Sequence, residues 1–248
     1  MTLLATELHS AETETIIVFA ADRRITREAN RDQDQVKIFP IRNINAGLGF
    51  FGLAEVPTSV GYQRMEDWIQ DFLYTVEKHE SVESVAKRLT VALNIVIPMK
   101  LRTERSGFHL AGFNDGGQPE FWYVRNVDDA GMPTLGQYEA REDFQRRDVL
   151  KLAPGHFQIY RNGDIRAHVT AWESLDIAFS SLLERPGFRP IRTVSDYLDW
   201  VRFKMEIIAA FYKRYALVPI IGKPIDVFAF SQSNFAQVLT TPTSSIES

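Results

Sequence analysis

The chain contains no cysteine, which excludes disulfides, thiol nucleophiles and thiolate metal sites together. Histidine is scarce: His9, His79, His109, His156 and His168 are isolated, with no i, i+4 pair to set two imidazoles on one helix face, so neither a metal nor another cofactor is expected. There is no basic excess. Lysine and arginine number 28 against 32 acidic residues and are scattered along the chain, so a nucleic-acid partner is not expected. Long hydrophobic runs are missing too. The stretch from Ile207 to Ile221 is interrupted by Lys213 and Arg214, short of the ~18 apolar residues of a spanning helix. Met1 to Ala5 lacks the length and the basic leader of a secretory signal. The expectation is a protein without a membrane partner, in the cytoplasm.

What is present is enough apolar material for a large core, 45% of 248 residues, and it is patterned. Leu3 to Leu8, Thr15 to Ala21, Val36 to Ile41 and Ile44 to Leu53 are β-branched and aromatic runs between polar turns, read as an antiparallel meander. Met65, Trp68, Ile69, Phe72, Leu73 and Val76 follow the helical period, as do Val82, Val85, Leu89, Leu93 and Val96, with Pro98 as a stop. Phe108 to Phe113 and Glu120 to Val124 flank Asn114-Asp115-Gly116-Gly117 as a hairpin. His156 to Tyr160 and Ile165 to Val169 are expected strands. Two capping boxes, Thr170 with Glu173 and Thr193 with Asp196, announce two more helices, the second reaching about Tyr215. Pro224 to Phe230 and Ala236 to Leu239 read as closing strands. One domain over residues 2–240 is expected, with an insertion around 127–155 and a loose tail at 241–248. Strands, two helices, strands, two helices and strands is not the alternation of a parallel sheet. Two antiparallel sheets packed together, each covered by a helix pair, would satisfy it. The expected class is therefore α+β, a four-layer αββα sandwich.

One stretch is more specific: Ile16-Ile17-Val18-Phe19-Ala20-Ala21-Asp22-Arg23-Arg24-Ile25-Thr26, then Val36-Lys37-Ile38-Phe39-Pro40-Ile41, then Gly49-Phe50-Phe51-Gly52-Leu53-Ala54. It resembles the N-terminal third of proteasome β subunits and of their bacterial relatives, the HslV-like and β-proteasome homologues, in the N-terminal-nucleophile (Ntn) hydrolase superfamily. The interval from Asp22 to Lys37 is fifteen positions, one short of the family's usual spacing. Phe108 to Phe113 with Gly117 to Phe121 resembles the family's central hairpin, and Pro224 to Phe230 its last core strand.

The resemblance implies an Ntn-hydrolase fold and a threonine endopeptidase whose nucleophile is an N-terminal threonine, here Thr2 once Met1 is removed. A threonine hydroxyl needs a base, and an α-amino group of pKa roughly 7.7–8 can serve. On the same resemblance Lys37 assists deprotonation, Asp22 holds and balances Lys37, Arg24 braces the loop, and the Gly52 N–H donates to the oxyanion. The family also implies self-association into rings, most simply a stacked double ring. Unfolded polypeptide would be the substrate, and an unfoldase ATPase would be a compatible partner that no residue here names.

The chain departs from the family at two turns. Asn162-Gly163-Asp164-Ile165 stands where many members have a serine-rich turn, so Asp164 becomes a supporting candidate. Val218 to Lys223 replaces a turn bearing aspartate and serine. Three alternatives stay open: Thr6 as nucleophile, sixteen residues before Asp22; a catalytically silent ring-forming subunit of the same fold; and an amidase of the Ntn superfamily acting on a small amide.

Overall fold

Eight consecutive buried residues make β1 (Leu3–Ser10) a strand that needs cover on both faces, and β2 (Thr15–Asp22) is buried from Ile16 onward. The computed structural model describes residues 3–11, 14–25, 33–128, 132, 136–142, 157–163 and 167–238. After β2 the chain runs through a short hairpin, β3 (Arg24–Ile25) with β4 (Gln33–Asp34), into β5 (Ile38–Ile41) and β6 (Ala46–Phe51), then a second hairpin, β7 (Glu55–Thr58) with β8 (Gly61–Arg64). Helices α1 (Met65–Tyr74) and α2 (Val82–Val96) follow, then β9 (Gly107–Phe113), β10 (Pro119–Arg125), β11 (Glu139–Glu142) and β12 (Phe157–Gly163). A π-helical segment, Ala167–Trp172, leads into α3 (Glu173–Leu183) and α4 (Val194–Tyr215), and β13 (Ile225–Phe230) and β14 (Phe235–Val238) end the described chain.

The strands form two five-stranded antiparallel sheets, ordered β12-β1-β2-β13-β14 and β11-β10-β9-β6-β5. Three apolar clusters separate the layers. Leu4, Leu8, Ile17, Phe19, Phe121 and Phe228 lie between the sheets. Ile69, Val85, Leu89 and Leu93 of α1 and α2 cover Leu48, Phe50, Phe108 and Leu110 on the outer face of the second sheet. Leu198, Val201, Met205 and Ile208 of α4, with Trp172, cover Ala5, Val18, Ala20 and Val227 on the first. Alternation along each strand does this, since successive side chains point to opposite faces. The sheets meet closely at Gly47, where an added Cβ would stand 2.7 Å from the rings of Phe19 and Phe228.

The expected α+β class with two packed antiparallel sheets matches what is seen, and α2 spans the expected residues. The meander does not. β2 pairs with β13, from the far end of the chain, while β5 and β6 belong to the other sheet, because the β3–β4 hairpin carries the chain across. Within the expected insertion, β11 pairs with β10 and widens the second sheet; residues 129–131, 133–135 and 143–155 lie outside those described, as does the tail from residue 239. Ala167–Trp172 is helical where a strand to Val169 was expected. Ala167 and Trp172 are both buried, five residues apart, which suits one π turn and leaves Thr170 inside the helical run. The second capping box is present in both halves at Thr193 and Asp196, an arrangement worth about 1 kcal/mol.

One polar cluster sits under the outer layer. Glu7, without exposed surface, accepts from Trp172 Nε1 at 3.1 Å, Lys204 Nζ at 3.2 Å and His9 Nε2 at 2.8 Å, while Lys204 and Arg161 also reach Asp176. Burial alone would push the Glu7 carboxyl up, but Lys204, His9 and Arg161 together hold it well below the usual carboxylate range. A depressed folded-state value means that the stabilisation is present above the ordinary glutamate value and lost as pH falls below it. Glu7→Gln is expected to cost about 3–5 kcal/mol at pH 7, since it leaves buried Lys204 short of a partner. The gap to the parent should narrow by roughly 1.4 kcal/mol per pH unit below pH 4.5, the ordinary glutamate value. Urea unfolding at pH 7, 5 and 3.5 measures this, and a gap that stays constant would refute the linkage.

Candidate active site

Strand pairing brings several strand ends to one end of the sandwich. In the first sheet Leu4 pairs with Ala21 and Ile225 with Asp22, so β1 begins where β2 ends and β13 begins, and Gly163 at the end of β12 faces Leu3. In the second sheet Ile38 pairs with Gly49 and Phe51 with Gly107, which sets the start of β5, the end of β6 and the start of β9 side by side.

Lys37 joins the two edges. Its Nζ donates to the Arg24 carbonyl at 2.6 Å and to Asp22 Oδ1 at 3.3 Å, and the same carboxylate oxygen accepts the Leu3 N–H at 2.7 Å. Asp22 has no exposed surface and Lys37 is 2% exposed, so this ion pair lies outside the reach of solvent screening. Burial pushes the Asp22 carboxyl up, against the pull of Lys37 and of the Leu3 and Gly222 N–H groups. Burial likewise pushes the Lys37 ammonium down, against Asp22, Asp34 and Asp226. A lysine so depressed holds a free amine at lower pH than a solvated one, and a free amine can take a proton from a hydroxyl.

The surrounding backbone is tied in a row. Arg23 N–H donates to Pro224 O at 3.0 Å, Gln35 N–H to Arg23 O at 2.9 Å, and Phe50 N–H to Lys37 O at 2.9 Å. The Gln35 amide reaches Ala54 O at 3.1 Å. Residues 22–24, 35–37 and 50–54 are therefore linked to one another by hydrogen bonds. Gly52 follows the end of β6 with φ +96°, and a Cβ there would stand 2.3 Å from the Arg105 carbonyl oxygen, so both conformation and space require glycine. Arg24 contributes its carbonyl to Lys37, and its side chain lies along Gly222, whose added Cβ would meet Arg24 Cδ at 3.1 Å.

Of the residues expected from sequence, the structure thus joins Asp22, Lys37 and the Arg24 backbone, and sets Gly52 at the same end. Thr2 and Asp164 lie outside the described residues; their chain neighbours Leu3 and Gly163 face each other across β1 and β12. Thr6 is elsewhere. It pairs with Phe19, three residues along β2 from Asp22, and its Oγ1 is bonded to His109 Nδ1 at 2.9 Å. Cleavage before Thr6 would also strip Leu3, Leu4 and Ala5 from the core, none of which has exposed surface.

Sequence reading missed the Arg23–Asp226 pair, 2.6 Å long and buried at both ends, which anchors the loop after β2 to β13. The signal was available: Asp226 is a charge inside an otherwise apolar strand, and such a charge needs a partner. No family model matches the chain, and no curated protein matches it either. Among the described residues no cluster of three or more His, Asp or Glu could hold a metal ion, and no helix is long and apolar enough to cross a membrane. A separate apolar pocket of about 400 Å³ lies between the π segment and α4; Asp22, Arg24, Lys37 and Gly52 are not among its lining residues.

The pair itself is testable. Asp22→Asn and Lys37→Met should each destabilise the fold by about 3–5 kcal/mol, because each leaves one buried charged group without its partner. The double variant should cost clearly less than the two together, by about 1–3 kcal/mol. Urea unfolding of the four proteins measures the coupling, and simple additivity would mean that the two groups do not act as a pair.

Proposed function

We propose that this chain is an N-terminal-nucleophile hydrolase of the proteasome β-subunit type, a threonine peptidase subunit with Thr2 as nucleophile after removal of Met1. The observation that carries the reading is the buried Lys37–Asp22 pair at the junction of two packed antiparallel sheets, with the Leu3 N–H on the same carboxylate oxygen. That bond ties the pair to the residue immediately after Thr2.

In this reading the Thr2 hydroxyl gives its proton to the free α-amino group, and the depressed Lys37 amine beside Asp22 assists. Threonine Oγ attacks the carbonyl carbon of a peptide bond, and the Gly52 N–H stabilises the oxyanion, a contribution of ~2.7–4 kcal/mol for one such donor. The leaving amine takes the proton as the C–N bond breaks and an ester forms on Thr2. Water then attacks the ester and restores the hydroxyl. Asp22 stays in place and balances the charge that Lys37 carries whenever it holds the proton. Arg24 supplies the carbonyl that orients the lysine, and Asp164 is assigned to steadying the terminal amine.

A nucleophile that accepts peptide bonds generally is safe only where folded proteins cannot enter. The proposed context is therefore a ring of these subunits, stacked as a double ring in the cytoplasm and fed with unfolded polypeptide, for which an unfoldase ATPase is the matching kind of partner. No cofactor takes part.

The test is the intact mass of the purified protein before and after a peptide epoxyketone, a probe that needs both the hydroxyl and the free amine of an N-terminal threonine. Loss of Met1 and gain of one probe mass, abolished in Thr2→Ala, is the expected outcome. A chain that retains Met1 and ignores the probe would sink the Thr2 mechanism and favour a silent ring subunit. Labelling without cleavage of unfolded protein would favour an amidase for small amides.

A further inference from the structure

The back of the Gly52 turn is pressed onto a backbone that one buried side chain holds. Because Phe51 pairs with Gly107, Gly52 comes opposite Ser106, and an added Cβ at position 52 would stand 2.5 Å from Ser106 Cβ and 2.6 Å from its Cα. Ser106 in turn lies opposite Asn126, just past the end of β10. Asn126 has no exposed surface. Its Oδ1 accepts the Ser106 N–H at 3.0 Å, its Nδ2 donates to the carbonyls of Glu104 at 2.6 Å and Arg102 at 2.9 Å, and its own N–H reaches the Ser106 carbonyl at 3.3 Å.

A second tier supports the first. The Ser106 hydroxyl is bonded to the Tyr138 hydroxyl, and Asn94 grips the Tyr138 backbone, accepting its N–H at 2.8 Å and donating to its carbonyl at 2.9 Å. The Arg102 guanidinium ties down the carbonyls of Ile97 at 2.7 Å and Gly136 at 2.9 Å. Burial pushes the Tyr138 hydroxyl up to about 12, so it stays protonated near neutrality and the bond to Ser106 persists.

A buried amide costs desolvation unless its groups are matched, and all the matching of Asn126 goes to the backbone of residues 102–106. An apolar residue would fill the same space without that demand, but it would leave the three backbone groups that Asn126 serves without these bonds. What the amide adds is a fixed course for residues 104–106, the surface on which Gly52 rests. We infer that Asn126 is a positioning residue: acting through Ser106, it sets the orientation of the Gly52 peptide at the end of the second sheet where Lys37 meets Asp22. The consequence for catalysis depends on the oxyanion role given to Gly52 above, whereas the consequence for the backbone does not.

Two readouts separate these. The first is hydrogen–deuterium exchange of the whole chain, comparing the parent with Asn126→Ser and with Tyr138→Phe, a milder change that keeps every bond of Asn126. Removing a buried hydrogen-bond partner loosens the backbone it holds, so exchange over residues 50–54 should rise about ten-fold in Asn126→Ser, less in Tyr138→Phe, and stay unchanged over residues 15–22. Unchanged exchange over 50–54 in both variants overturns the inference, whatever the protein catalyses. If Asn126→Ser does not fold, Asn126→Asp, which keeps the acceptor for the Ser106 N–H and loses the amide donors to Glu104 and Arg102, takes its place and is judged by the same rise over residues 50–54.

The second readout is the kinetics of epoxyketone labelling. The maximal labelling rate should fall about ten-fold in Asn126→Ser while the probe's half-saturating concentration stays within about two-fold, the pattern of a lost transition-state contact. A change confined to half-saturation overturns the positioning role in catalysis. A parent that takes no label at all refutes the proposed function, and the exchange result still judges Asn126.

Discussion

A lysine and an aspartate, buried together where two sheets meet, impose the constraint that organises this molecule. Neither group is stable alone at that depth, since an isolated charge in a low-dielectric interior would lose its proton or gain one. Each sheet supplies one partner: Asp22 ends β2, and Lys37 precedes β5. Pairing them brings the two sheets into register at this end, and the hydrogen bonds from Leu3 and to Arg24 O and Lys37 O draw the neighbouring strand ends into the same body. The aromatic packing of Phe19 and Phe228 against Gly47 then sets how closely the faces can approach.

The polar groups of the interior fall into two sets with different work. Glu7, Lys204, Asp176 and Arg161 bind the helical layer to the back of β1, and their charges balance within the cluster. Lys37, Asp22, Arg23 and Asp226 lie at the end of the sheets and bind loops to strands. Buried ion pairs often add little net stability compared with apolar residues of similar volume, but removing one member is costly. Such pairs therefore select one arrangement against alternatives more than they deepen it. That suits an end of the fold where backbone groups must be held in fixed directions.

Much of the architecture was legible in the residues, because periodicity reports which face of an element is buried. α2 was readable to the residue from Val82, Val85, Leu89, Leu93 and Val96, and α4 from its capping box at Thr193. The Ala-Ala-Asp-Arg-Arg run and Lys37 stood out through their resemblance to a family motif and not through any local property of their own. Pairing was less accessible. Nothing local says that β2 takes its second neighbour from β13, some two hundred residues later, instead of from β5. The π turn at Ala167–Trp172 also escaped, since its alternating Ile165, Ala167 and Val169 resemble a strand.

Composition and spacing by themselves determined the class of fold, the absence of thiol chemistry and the positions of most helices, because burial preference and backbone propensity are local properties, while the short set of candidate residues came from a resemblance of motifs. The tertiary structure decided which of those candidates meet. It set Lys37 on Asp22, gave Arg24 a role through its carbonyl, kept Thr6 in the core against His109, and revealed Arg23 with Asp226 and Asn126 behind Gly52. Those contacts join residues far apart in the chain, and only the register of strands across two sheets fixes the distances between them.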